Sequence, residues 1–121
     1  MTSNKFSLRA RINSFFYAGN GIKYLINSEP NFLVHLLASV FVIFMGWYFK
    51  ISSNQWLALA ITMALVLVTE TVNTCIELLV DWISPQHQQQ AGLIKDIAAA
   101  AVLISAIMAM VVAAIIFLPL L

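Results

Sequence analysis

Three long runs almost free of charge govern what this chain can fold into. Phe32 to Phe49 has no formal charge and His35 as its one group that titrates near neutral pH, Trp56 to Val80 carries only the charges of Glu70 and Glu77, and Ile97 to Leu121 has Ser105 as its main polar residue. A bilayer core is about 30 Å thick and needs about 20 helical residues, so each run is long enough to cross. Composition agrees. Of 121 residues, 62% are hydrophobic and 9% charged, where a soluble domain would be about a quarter charged. The length allows one domain. A net charge of +1 supplies no basic patch for nucleic acid. The single cysteine, Cys75, makes neither an intrachain disulfide, a zinc cluster nor a CxxC pair.

The spans are expected at about 31–49, 55–81 and 95–120. Before them, Lys5, Arg9, Arg11 and Lys23 alternate with Leu8, Ile12, Phe15, Ile22 and Ile26 at near-helical spacing, which predicts an amphipathic helix over about residues 5–28. Gly19 and Gly21 weaken its middle. A basic helix of this kind lies in the headgroup plane, and its apolar stretch is too interrupted for a secretory signal. Those four basic residues and Lys95 fall on one side of the membrane and Lys50 on the other, so the N-terminus and the loop from Asp81 to Asp96 are expected inside the cell. The fold predicted is an all-α membrane protein with a surface helix and three transmembrane helices.

The few charges inside this frame are the informative residues. At 100° per residue, Glu70, Asn73, Glu77 and Asp81 fall within a stripe about 80° wide. With Asp81 at the membrane boundary, Glu77 lies about 6 Å and Glu70 about 16 Å deeper. A carboxylate at such depth is costly without a partner, and is read first as functional. The structural alternative is an ion pair, such as Asp81 with Lys95. Glu29 precedes Pro30, where the surface helix must end, so it sits at the same interface. Lys95 and Asp96 are expected to open the third span, where helix N–H groups attract anions. Acids, an amide, a lysine and a helix start at one depth suit a phosphate with Mg²⁺, which takes oxygen ligands from one or two carboxylates. Glu29 also fits a helix-end cap, and Lys95 a snorkelling residue.

Other chemistries are excluded by their missing motifs. Ala18 to Gly21 lacks the spacing and the lysine of a P-loop, and no GxSxG elbow, HExxH or protein-kinase signature occurs. Neither His35 nor His87 has a second histidine or cysteine at ligand spacing; His35 reads as a buried hydrogen-bonding group and His87 as a loop residue. Ala101, Ser105, Ala109 and Ala113 recur every fourth residue, a pattern that permits close helix approach. Trp47, Tyr48, Trp56 and Trp82 mark the interfaces.

The run Glu70-Thr-Val-Asn73-Thr-Cys-Ile-Glu77-Leu-Leu-Val-Asp81, followed by Ala91-Gly92-Leu-Ile-Lys95-Asp96 and an alanine-rich span, resembles the prokaryotic diacylglycerol kinase and undecaprenol kinase family. The likeness extends over nearly the whole chain, including Phe16-Tyr17-Ala18 and Asn27 to Glu29. It implies a homotrimeric enzyme of the bacterial inner membrane that transfers the γ-phosphate of ATP to a lipid hydroxyl. It makes Glu70 the general base and gives Asn73 the orienting of the reacting groups. Glu29 and Glu77 would hold Mg²⁺ on the nucleotide phosphates, Lys95 and Asp96 would contact the nucleotide, and Tyr17 would lie near its base or ribose.

The chain departs from the pattern at two places. The family's N-terminal arginine meets Ala10, with Arg9 and Arg11 on either side, and an expected Arg-Gln pair is replaced by Leu33-Val34. His35 is more like the undecaprenol kinases. The expected acceptor is diacylglycerol, giving phosphatidic acid, with undecaprenol as the alternative. The rival from another class is a small proton-coupled exporter, which needs one buried acid and leaves Lys95 and Asp96 without a task. A purely structural bundle leaves the burial of Glu70 and Glu77 unexplained.

Overall fold

The chain bends at Glu29-Pro30, and this bend separates its first helix from the rest. The computed structural model describes residues 5–86 and 88–121; His87, read above as a loop residue, lies outside them. Helix α1 spans Leu8–Ser28. It starts at Leu8 and not at residue 5 because Ser7 caps it, its hydroxyl accepting from the Ala10 N–H at 3.2 Å. Gly19 and Gly21 do not interrupt it, and a Cβ at either would meet nothing within 4 Å. Proline disfavours helical dihedrals in the residue before it, and Glu29 is extended (φ −117°, ψ 97°). Its N–H still closes the last turn of α1 on the Leu25 carbonyl at 3.0 Å. Pro30 then opens helix α2, Pro30–Phe49, at the one place where its missing N–H removes no helical bond. Leu25 and Phe32 are buried on either side of the bend.

The second turn is equally specified. Lys50 takes left-handed dihedrals (φ 52°, ψ 53°), and the N–H groups of Lys50 and Ile51 return to the carbonyls of Trp47 and Gly46. Helix α3, Ser53–Ile83, begins on a capping box: the Ser52 hydroxyl accepts from the Gln55 N–H, and the Gln55 side chain accepts from the Ser52 N–H. Helix α4, Gln89–Phe117, follows a short loop and ends in a 3₁₀ turn at Leu118–Leu120. It begins six residues before Lys95, so the expectation of a helix start at Lys95 and Asp96 is wrong. Gln89 to Ile94 continue the helical ladder N-terminal to them, and their own N–H groups lie within the helix.

Among the described residues the protein is all helical, and α2, α3 and the stretch Gln89–Leu120 are each long and apolar enough to cross a membrane. The most extensive packing is between α3 and α4, while α1 rests chiefly on α2. The apolar core gathers at the α2–α3 turn, where Ile51, Leu59, Ile116 and Phe117 are buried beneath Phe49 and Trp56. Gly46 is required there: a Cβ would lie 2.6 Å from Cη2 of Trp56. Trp56 is thus half-buried packing, whereas Trp47 and Trp82 are exposed, as interface anchors are. Along α4, Ser105 is buried and Ala109 and Ala113 half-buried, while Ala101 faces outward. The accessible surface is 9216 Å², against roughly 6500 Å² for a compact soluble chain of this mass. Much of the excess is apolar, such as Phe41 and Phe44 on α2, Ile61 and Val72 on α3, and Ile104 and Ile115 on α4.

Candidate functional site

The inward stripe of α3 changes character along its length. Leu59, Thr62 and Val66 occupy it near the α2–α3 turn, and Glu70, Asn73 and Thr74 continue it toward the other end. All are buried, so the polar stripe seen in the sequence is the extension of the core-facing side of α3. Thirty-one residues of helix span about 46 Å, more than the hydrocarbon core. Starting from Ser53 at one boundary, about 30 Å is used up near Asn73. Counted from Ser53 in place of Asp81, the boundary falls near Asn73, so Glu70 lies about 4 Å inside it and not about 16 Å as expected from Asp81, with Glu77 and Asp81 beyond it.

Glu70 is 3% exposed, and its Oε2 lies 3.9 Å from Nε2 of His35 on α2. Asn73 is committed to Glu77: its Nδ2 donates to Oε1 of Glu77 at 2.9 Å. Its Oδ1 and the hydroxyl oxygen of Thr74 are buried without a hydrogen-bond partner, which at this depth marks groups open to a ligand. Glu29 is half-buried at the bend. Among the described residues no three histidine, cysteine or acidic side chains converge on one point.

A second polar group lies at the loop between α3 and α4. Nζ of Lys95 pairs with Oδ1 of Asp81, the ion pair that the sequence left as the structural alternative for Asp81. Asp81, Ser84, Gln86, Lys95 and Asp96 border a cavity of about 350 Å³. On the other side of Glu70, toward the middle of the bundle, an apolar cavity of about 250 Å³ opens between α2, α3 and α4. His35, Ser39, Val66 and Ala109 are among its walls.

The structure thus assembles Glu29, Glu70, Asn73 and Glu77 at one end of the bundle, with Lys95 and Asp96 beside the adjoining loop cavity. Tyr17 is 70% exposed on α1, a helix that rests chiefly on α2. Arg11 is engaged locally, over the ring of Phe6. Sequence reasoning left two residues out of the site. Thr74 follows Glu70 by one turn, a spacing that would have found it; His35 comes from another helix, is half-buried in ion-pair range of Glu70 and not the buried hydrogen-bonding group expected, and only its being the one imidazole of its span marked it.

Comparison with known proteins shows the family of the chain. The model of the prokaryotic diacylglycerol kinase family matches residues 16–117. An undecaprenol kinase of Bacillus subtilis is 34% identical over 106 residues, covering 88% of this chain and 86% of that protein. A diacylglycerol kinase of Synechocystis sp. is 35% identical over 107 residues, covering 88% of this chain but only 61% of that protein. The match runs from the bulk of the surface helix to the end of the third span, and on it the chain belongs to the prokaryotic diacylglycerol kinase family.

Proposed function

We propose that this membrane protein, a lipid kinase by family, transfers the γ-phosphate of ATP to a primary hydroxyl of a membrane lipid. The observation that carries this reading is Glu70, buried on a helix of membrane-spanning length, with Asn73 and its partner Glu77 on the same face. Phosphoryl transfer is mostly positioning and charge neutralisation, and these residues offer both. Glu70 takes the hydroxyl proton. Glu77, oriented by Asn73, and Glu29 would hold Mg²⁺, which when bound neutralises phosphate charge. Lys95 and Asp96 border the loop cavity, whose size is that of a small-molecule site, and there they would meet the nucleotide. The apolar cavity accepts the lipid chain and brings its polar end to Glu70.

Diacylglycerol and undecaprenol both offer the required hydroxyl, and each is named for a relative of this chain. A homotrimer in the bacterial inner membrane, with the site on the cytoplasmic side, is part of the same reading. The exposed apolar faces and the exposed Tyr17 support a site completed between chains. The test is transfer of labelled γ-phosphate from ATP in mixed micelles containing one lipid or the other. Label in either establishes the kinase and its acceptor. Label in neither, from folded protein, returns the proton-coupled exporter.

A further inference from the structure

His35 has no task in the reaction, yet its ring lies in ion-pair range of Glu70. Among the described residues the ion-pair-range neighbour of Glu70 is His35, 3.9 Å from Nε2 to Oε2, a separation longer than a hydrogen bond. The neighbouring donors are engaged elsewhere, since Asn73 Nδ2 serves Glu77 and Lys95 Nζ serves Asp81. The imidazole also borders the apolar cavity together with Val66, one turn before Glu70 on α3. Its backbone lies within the second turn of α2, close to the buried Phe32, and its carbonyl accepts from the Ser39 hydroxyl at 2.8 Å. The ring therefore stands on a fixed element, between the cavity and the carboxylate.

We propose that His35 is a positioning residue: its imidazole, in ion-pair range of Oε2, orients Glu70 so that the carboxylate meets the acceptor hydroxyl at the head of the apolar cavity. This rests on the lipid-kinase reading. In the step it serves, the hydroxyl oxygen bonds to the γ-phosphorus, and the bond from that phosphorus to the bridging oxygen breaks. The electron pair leaves on ADP, and the hydroxyl proton goes to Glu70. His35 takes no proton in this step; beyond lining the cavity, it acts on the aim of the base.

The experiment compares His35→Ala, His35→Gln and His35→Leu in the full chain in mixed micelles, alone and combined with Glu70→Gln. The expected result for His35→Ala is a fall in kcat of about tenfold or more, a fraction of what general-base catalysis contributes, with the KM for ATP unchanged. His35→Gln, which keeps a donor at similar reach, recovers most of the rate; His35→Leu, of similar bulk without a donor, does not. In the Glu70→Gln background His35→Ala removes nothing further, because the group it positions is gone. If the alanine variant unfolds, the glutamine and leucine pair decides by itself. Equal rates for glutamine and leucine, or an equal loss in the Glu70→Gln background, would overturn the proposal. No transfer by the unsubstituted protein to either lipid removes the kinase reading itself, a result distinct from all of these.

Discussion

Glu70 and Glu77 lie two turns apart on the same face of α3, and their neighbours give them different work. Glu70 is enclosed and faces an imidazole; Glu77 is half-buried and accepts from an amide. Replacing Glu70 by Gln removes the base and should lower phosphate transfer by about 10²- to 10⁴-fold, measured with labelled ATP at saturating lipid. Glu77→Gln should act differently, raising the Mg²⁺ concentration needed for half-maximal rate, and a titration of rate against Mg²⁺ reads it. Unchanged Mg²⁺ dependence would remove Glu77 from the metal. The Asp81 and Lys95 pair is largely exposed, so Asp81→Asn should cost at most about 1 kcal/mol of stability in thermal unfolding.

The elements are set by their ends and by one close approach. The Ser52 capping box secures the start of α3, and Ser52→Ala should cost about 1 kcal/mol. Gly46 lets the Trp56 ring rest on α2. Gly46→Ala drives a methyl to 2.6 Å from that ring and should destabilise by about 1–3 kcal/mol, seen as a lower unfolding temperature in detergent. Adding Trp56→Phe to Gly46→Ala should restore part of the loss, because the offending ring edge is removed; no restoration would place the strain elsewhere. Both substitutions lie at the α2–α3 turn, far along the bundle from Glu70, so in protein that remains folded the rate of transfer should change little.

On the scale of the molecule, the rigid apolar core and the polar site occupy opposite ends. Packing is densest where Leu59, Ile116 and Phe117 meet, and polar groups with no partner occur where Asn73 and Thr74 lie. Such a division lets one end hold the helices while the other keeps groups free for substrate. The outer faces of all three long helices remain apolar and exposed. Association into a homotrimer would cover part of them, and the protein mass in detergent should then be about three times 13.4 kDa, by light scattering corrected for bound detergent. A monomer that transfers phosphate would show that Tyr17 from another chain is not needed.

The amino-acid sequence alone determined the membrane architecture, because that depends on the length and polarity of segments and not on how they meet. The break at Glu29-Pro30 was equally legible, since proline constrains its predecessor wherever it stands. So was the stripe of Glu70, Asn73 and Glu77, which one helical period places together. What tertiary structure decided was partnership. That Asn73 serves Glu77, that His35 faces Glu70 and that Lys95 pairs with Asp81 depend on rotamers and on the packing of one helix against another, and a local pattern does not carry these. The start of α4 at Gln89 escaped for a related reason: a run of glutamines is neutral between helix and loop, and the helix there continues from a span anchored by its packing on α3.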